Sequence, residues 1–554
     1  MGRTRRVLGA GIAALMVLGV VGCSGSSERS SESPTTGAVT SSTVRFGDVV
    51  DVADVVELRP LGTRDGRIVD DLGRDVLLRG ANVNSLGEYW QGVPELPSNL
   101  PVTDADWDAM AARGFSVVRL IVTWSRVEPK RGEIDEAYLD EVDAHVKAAA
   151  ARGIYTVIDM HQDAYTATIF TKDPAECPAG TTPAKGWDGA PAWATITDGL
   201  STCLTGPDRN SSPAVNRAWN NFYDDRDGIR TQFASMWAAI AKRFAGRPEV
   251  AGFDLLNEPE TSAPAAELTP KYEAFLRQTA TAIIDAQHGA AFRHLLFVEP
   301  AIPAGHNEFG LVIPDAKRVG LGTDGVVGAP HNYAESIDAG GLGLTIEAMA
   351  DTIVGLDEGQ GLPTWIGEYG FWGTAPETIE KVGRYGETED RHRLGGAWWQ
   401  WRQGCGDPHA VQWKDGKVVA PTDRSVQLNT LQCPGDEVVG PTEPFLRVLG
   451  RAYPRATPGR LDTLTSDVDT GNLHVAATAT AADVGQTIEV WTPTTDDSTH
   501  RVTVTGLSGL TQHAVSGGRL LTATVTAAGA YDLRVGATDS TGSTTEADAT
   551  TDAG

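Results

Sequence analysis

The stretch Val250-Ala251-Gly252-Phe253-Asp254-Leu255-Leu256-Asn257-Glu258-Pro259 is apolar almost throughout and then stops abruptly on polar residues. At this length, and with one internal charge, it reads as a β-strand covered on both faces, the habit of a parallel sheet packed against helices. The pattern recurs on either side. Val76–Val83, Val117–Trp124 and Tyr155–His161 precede it, and Leu295–Glu299, Val326–Tyr333, Thr364–Tyr369 and Leu394–Trp401 follow. Helix-length amphipathic stretches separate the runs: Asp104–Arg113, Glu136–Arg152, Ile229–Phe244, Pro270–Gln287, Thr345–Glu358 and Glu377–Arg391. Only the gap between the fifth and sixth runs carries a poor helical signal. Eight such strands with intervening helices predict a (β/α)8 TIM barrel, of the α/β class, rather than an open doubly wound sheet.

The barrel pattern is interrupted once and flanked twice. Ala164–Tyr223, between the third and fourth runs, is rich in Pro, Gly, Thr and Trp, with the next helix expected only afterwards. A connection of that length sits at the barrel mouth and forms a wall or lid of a binding site. After Pro458 the period changes to two, as in Leu473/Val475/Ala477 and Tyr531/Leu533/Val535, which predicts a small antiparallel β-sandwich over 458–536 and a polar, disordered tail over 537–554. At the other end, Arg3, Arg5 and Arg6 precede an apolar run, Val7–Val21, that closes on Gly22-Cys23. Residues 1–23 therefore read as an export signal, and Val20-Val21-Gly22-Cys23 resembles a bacterial lipobox in which Cys23 is cleaved at and lipidated. The Ser/Thr/Gly-rich residues 24–46 form a tether too polar to pack, and 47–457 are assigned to the barrel. The chain is expected to be exported, as a cell-surface lipoprotein or a secreted protein.

The 554 residues carry a formal net charge of −27. Nucleic acid is excluded as a partner by this balance, because phosphate binding needs clustered Lys and Arg. Electrostatic docking onto anionic lipid is disfavoured for the same reason. A neutral substrate fits. With Cys23 set apart, Cys177, Cys203, Cys405 and Cys433 remain. An even set in an exported chain reads as disulfides. Of three possible connectivities, Cys177–Cys203 with Cys405–Cys433 is favoured, because each pair lies within one loop region. No CxxC, Walker loop, HExxH or G-x-S-x-G motif is present, and Asp467/Asp469/Gly471 is an incomplete calcium loop. No metal or cofactor is expected.

Polar residues at the C-terminal ends of barrel strands line the active-site mouth. Here nearly every end supplies one: Asn82 and Asn84, Arg119, His161 and Asp163, Asn257 and Glu258, Glu299, His331 and Tyr333, Glu368, and Gln400. Burying so many without a task would cost several kcal/mol each. Two carboxylates stand out, Glu258 after Leu255-Leu256-Asn257 and Glu368 after Trp365-Ile366-Gly367. Strands four and seven face each other across a barrel, so the pair can flank one bond. Glycoside cleavage needs that pair, one carboxylic acid to protonate the leaving oxygen and one carboxylate to attack, at about 5–5.5 Å when configuration is retained.

These motifs, Asn-Glu-Pro on the fourth strand, Glu on the seventh, Arg on the second and His-x-Tyr on the sixth, resemble glycoside hydrolase family 5, in the clan of retaining barrel glycosidases. Asp159-Met160-His161-Gln162-Asp163, Trp398-Trp399-Gln400-Trp401 and Cys405-Gly406-Asp407-Pro408-His409 resemble the family's bacterial endoglycoceramidases, over about residues 47–536. The resemblance implies Glu258 as acid/base and Glu368 as nucleophile. It implies that Asn257 bonds the sugar 2-hydroxyl and that Arg119 and Tyr333 hold Glu368. It places His161 and His331 near the acid/base, and Asp163 and Trp401 on the sugar. Glu258 should then lie in less cationic surroundings than Glu368, to keep its proton. The implied activity is cleavage between the oligosaccharide and the ceramide of glycosphingolipids, at a membrane reached by lipid anchor and apolar contact. A family 5 β-glycanase, a galactosyl-ceramide-specific endoglycosidase and a non-catalytic carbohydrate-binding lipoprotein are the alternatives. The insertion's Tyr165, Ile169, Phe170, Trp187, Trp193 and Ile196 either line a lipid groove or pack on themselves.

Overall fold

The computed structural model describes residues 41–45, 51–52, 56–260, 263–301, 315–317, 319–337, 343–494 and 500–537. The expected signal segment with Cys23, the tether as far as residue 40 and the tail from 538 lie outside these residues. So does most of the stretch after the fifth strand.

Eight parallel strands form the barrel: β1 (Arg79–Val83), β2 (Val117–Thr123), β3 (Tyr155–His161), β4 (Val250–Asp254), β5 (Leu295–Val298), β6 (Val326–Gly328), β7 (Trp365–Tyr369) and β8 (Gly395–Trp398). They pair in the order β6-β5-β4-β3-β2-β1-β8-β7, and a parallel bridge between Gly328 and Thr364 brings the two ends together. Around them run α1 (Asp104–Ala111), α2 (Glu136–Ala150), α3 (Pro213–Tyr223), α4 (Ile229–Phe244), α5 (Ala265–Ala286), α6 (Ile346–Gln360), α7 (Pro376–His392) and α8 (Glu443–Leu449).

Strand alternation divides the core in two. Val117, Val157, Leu295, Phe297 and Trp365 fill the barrel interior, while Val118, Leu120, Ile158, Met160, Leu296 and Ile366 meet the helices. The period that sends Val117 inward sends Arg119 inward two residues later. On β3 the same step carries Val157 to Asp159 and His161, and on β5 it carries Phe297 to Glu299. The site is thus an extension of the packed core towards the strand ends.

Three expectations need correction. The insertion is not helix-free: its last part is α3, capped by the Ser212 side chain on the Val215 N–H with Pro213 at the first helical position. Ala214, Val215, Ala218, Trp219 and Phe222 are buried, so packing of one face stabilises it. The sandwich also begins earlier than residue 458 and is not only C-terminal. One of its sheets contains Tyr453–Thr457 and, beside it, Asp75–Val76, Arg67–Asp70 and Leu61–Arg64. Thirdly, Ser41–Arg45, assigned to the tether, pairs antiparallel with His500–Thr505 and so uses its backbone groups in a sheet.

The N-terminal hairpin residues Leu61 and Ile68 join the interior core at the foot of the barrel. The sandwich is bonded to that same end. Tyr453 donates its hydroxyl hydrogen to the Gly114 carbonyl at 2.7 Å, and Arg455 bonds the Gly153 carbonyl at 2.6 Å; both glycines lie in turns leading into strands. Arg451 is buried against Glu389 and Asp390 on α7, at 2.9 and 2.8 Å. The sandwich therefore braces the face opposite the strand C-termini.

Candidate active site

Arg119 is the hub of the mouth. It is fully buried, and its guanidinium reaches Asp159 at 2.9 Å, Asp254 at 2.8 Å, Glu299 at 3.0 Å and Glu368 at 2.8 Å. It also donates to Asn82 at 3.1 Å and to Asn257 at 2.9 Å. One cation cannot hold so many buried carboxylates ionised. Burial pushes Asp254 up to about 7 despite Arg119, and drives Asp159 well above the carboxylate range.

Glu368 sits where the pairing of β7 with β8 slips in register between Ile366 and Tyr369. A bulge of this kind re-aims a side chain. One Glu368 oxygen accepts from Arg119, and the other accepts the Tyr333 hydroxyl at 2.8 Å. Gly367, just before it, is closely packed: a Cβ there would lie 3.0 Å from His331 Nε2, so the imidazole would have to give way by a few tenths of an ångström. The missing Cβ lets the imidazole stand between the two glutamates.

Glu258 follows β4 with a φ of 38°, a left-handed conformation rare outside glycine. Three contacts fix it. Its N–H donates to Glu299 at 2.8 Å, and Gln162 donates to the Asn257 and Glu258 carbonyls at 2.8 and 2.9 Å. The carboxyl is bonded by His331 Nδ1 at 3.0 Å and by Arg209 at 2.8 Å. His331 Nδ1 is also 3.5 Å from Glu368, and Nε2 is 3.3 Å from Glu299. Carboxylate oxygens of Glu258 and Glu368 and a nitrogen of His331 all lie within 4.8 Å of one another.

The electrostatics of Glu258 reverse the expectation of a less cationic setting. Burial raises the carboxyl, but the His331 hydrogen bond and the His331 and Arg209 charges outweigh it and hold Glu258 at about 2. Burial opposes charge on His331 too, yet Glu299, Glu368 and Glu258 together keep its imidazole well above the ordinary histidine range. The main cause of the low Glu258 value is His331, which follows β6; Arg209 from the insertion adds a second cation that strand positions alone did not reveal.

The other expected residues converge, with one exception. His161 stands beside the site with Nδ1 2.7 Å from Asp159, and burial lowers it to about 4, so it is neutral. Asn257 is at the centre, its amide donating to the Gln162 carbonyl at 3.0 Å. Asp163 is buried with both oxygens engaged, by Arg209 at 2.5 Å and His409 at 3.1 Å. Trp401 does not face the sugar site. β8 ends at Trp398, so strand alternation no longer governs position 401, and the Trp401 indole donates to Asp106 on α1 at 3.0 Å. Trp399, two residues earlier, stacks on His161 with ring centroids 5.2 Å apart and 11° between planes.

Both expected disulfides are formed, Cys177–Cys203 and Cys405–Cys433. Each pins a loop that supplies the site. The insertion contributes Arg209, whose guanidinium lies 4.9 Å from the Trp187 ring centroid, and buried Asp188. The second loop contributes His409, bonded to Asp407 at 2.8 Å; burial opposes its charge, but Asp407 and Asp163 raise it to about 10. Of the insertion's apolar set, Tyr165 and Ile169 are buried in the main core, and Trp187, Trp193 and Ile196 pack against it. Self-packing accounts for these residues. Phe170 packs on Trp90 with centroids 5.5 Å apart.

Two triplets, Glu258/His331/Glu368 and Asp159/Asp254/Glu299, bring ligand-type atoms close together. In the second, Arg119 bonds all three carboxylates. In the first, His331 bonds Glu258 at 3.0 Å and stands 3.5 Å from Glu368.

Comparison with known proteins agrees with this geometry. Residues 69–404 match the family model described as cellulase (glycosyl hydrolase family 5). Endoglycoceramidase I of Rhodococcus hoagii (strain 103S) is 26% identical over 441 residues, covering 75% of this chain and 76% of the relative. A crystal structure of endogalactoceramidase is 37% identical with a TM-score of 0.76, covering 87% of this chain and 100% of that one. Endo-glycoceramidase II from Rhodococcus sp., in a complex with ganglioside GM3, is 26% identical with a TM-score of 0.65, covering 86% and 100%.

Proposed function

Because this chain belongs to glycosyl hydrolase family 5, we propose that it is a retaining endo-β-glycosidase that releases the intact oligosaccharide from the ceramide of glycosphingolipids. It is a glycoside hydrolase with a barrel catalytic domain. The observation that carries the reading is the convergence of Glu258 and Glu368 to within 4.8 Å at the barrel mouth, the closeness that direct attack by a carboxylate requires.

Glu368, oriented by Arg119 and Tyr333, attacks the anomeric carbon through a carboxylate oxygen. Glu258 gives a proton to the departing glycosidic oxygen, so ceramide leaves as an alcohol and the glycan stays as an ester of Glu368. Esterification removes the Glu368 charge. Glu258, now a base, takes a proton from water whose oxygen attacks the same carbon, and the oligosaccharide is freed with its original configuration.

Incubation with a purified ganglioside tests this: intact oligosaccharide and ceramide are expected, and cleavage of polymeric β-glucan alone would overturn it. One observation favours a second reading of the linkage. The endogalactoceramidase structure is more similar, at 37% identity, than the endoglycoceramidases at 26%. Galactose joined directly to ceramide is then the preferred sugar, and parallel digestion of glucosyl- and galactosyl-linked glycosphingolipids decides between the two. We further infer export and lipidation at Cys23 from Val20-Val21-Gly22-Cys23, which would place the enzyme beside membrane lipids; Cys23→Ala should move it from the membrane to the soluble fraction.

A further inference from the structure

Four cationic side chains lie in the insertion, Lys172, Lys185, Arg209 and Arg217. Arg209 is the one that touches the acid/base. It stands in a short 3-10 turn, Arg209–Ser211, capped by Asp208 on the Asn210 N–H at 2.6 Å and followed directly by α3. Its position is therefore set by a packed helix on one side and by the Cys177–Cys203 loop on the other. Its side chain runs over the Trp187 ring to reach Glu258 at 2.8 Å and Asp163 at 2.5 Å.

We propose that Arg209 is a positioning residue for Glu258, a cationic clamp delivered by the insertion that aims the carboxyl and favours its ionised, base-competent state over its acid-competent state. The inference rests on Glu258 being the acid/base. A bidentate-capable guanidinium on a flat aromatic ring is more preorganised than a lysine would be. Its cost falls on the first half of the reaction, where Glu258 must hold a proton, and its benefit on the second, where it must accept one.

Other charged groups face Glu258 from every neighbouring element. His331 follows β6 and Glu368 lies on β7; Glu299 follows β5 and meets the Glu258 N–H. Asp163 follows β3 and shares Arg209, while Glu260, two residues on, is buried and held well above its ordinary range by burial, with Arg209 pulling it down. Of the two cations bonded to Glu258, His331 is tied also to Glu299 and Glu368. Arg209 is the one whose removal leaves that strand-borne network in place.

The test compares Arg209→Gln with Arg209→Lys. In wild type the alkaline limb of kcat reports loss of the Glu258 proton once substrate occupies the mouth, a state distinct from the free enzyme in which that carboxyl is held at about 2. Removing a cation at this distance is expected to raise the limb by about one pH unit or more, with a fall in kcat where deglycosylation limits turnover. Arg209→Lys should keep the limb close to wild type. A purely structural anchor would instead lower the melting temperature and scale kcat evenly across pH, and an unmoved limb in Arg209→Gln overturns the proposal. The ionisation can also be read without turnover. The 13C-carboxyl resonance of Glu258, identified by its loss in Glu258→Gln, should titrate at higher pH in Arg209→Gln than in wild type. A titration unchanged by the substitution rejects the clamp, even if the glycolipid substrate were wrong; a shifted titration with no glycosphingolipid cleavage would retain the clamp and reject the substrate.

Discussion

The active site has two halves that differ in how they are held. One half is borne by strand ends: Arg119, Asn257, Glu299, Tyr333 and Glu368, with Arg119 at its centre. The other is borne by disulfide-pinned loops: Arg209, Trp187 and Asp188 from the insertion, and Asp407 and His409 from the loop closed by Cys405–Cys433. The first half continues the barrel core and inherits its rigidity. The second lies over it and touches the chemistry through Glu258 and Asp163. Bond breaking is assigned to the rigid half, and the charge around the acid/base is adjusted by the loop-borne half.

The division also explains what the sequence makes legible. Period-two alternation on β2, β3 and β5 fixes which side chains face inward, so Arg119, His161 and Glu299 could be placed from their distance to Val117, Val157 and Phe297. The abrupt apolar-to-polar endings at Glu258 and Glu368 marked the pair. Arg209 obeys no such period. It stands in a short turn inside a connection where no repeating pattern marks which side chain faces the site, and no helix was expected beside it. Trp401 failed for a related reason: β8 stops three residues earlier, and alternation carried past a strand end has no force. The N-terminal strands of the sandwich were hidden because the local hairpin of Leu61–Arg64 with Arg67–Asp70 joins the sheet only through Asp75–Val76, whose partners Thr457 and Ala456 lie far along the chain.

The widest separation between the halves should come from Glu368→Gln. This change is nearly isosteric, keeps an oxygen for Arg119 while the Tyr333 hydroxyl must turn from donor to acceptor, and removes the nucleophile. Turnover should fall by about 10⁴-fold or more, at the upper end of what a single catalytic side chain supplies, while circular dichroism and melting temperature stay near wild type. Activity retained within tenfold would break the assignment of chemistry to the strand-borne half.

A smaller effect is expected from opening the insertion with paired Cys177→Ser and Cys203→Ser substitutions. Closing a loop with a sequence separation of 26 contributes about 3.5 kcal/mol in the chain-entropy account. Thermal or urea unfolding should register a loss of that order. The strand-borne half should survive, so residual activity is expected together with a displacement of the alkaline limb in the direction of Arg209→Gln. If the acid limb moves instead, the loop half reaches Glu368 as well, and the two halves are not separable.

The finest test contrasts two neighbouring tryptophans. Trp401 is buried against the barrel wall and contributes one hydrogen bond to Asp106, so Trp401→Phe should cost about 1 kcal/mol of stability and leave kcat/KM unchanged. Trp399 stacks on His161 and lies 5.8 Å from the His409 ring, at the seam where the strand-borne and loop-borne halves meet. Trp399→Phe keeps an aromatic ring but loses the second ring of the indole, and a rise in KM with little change in melting temperature is expected. Were Trp401→Phe to raise KM and Trp399→Phe to leave it alone, the seam would lie on the other side of β8, and the loops would close over a different part of the sugar.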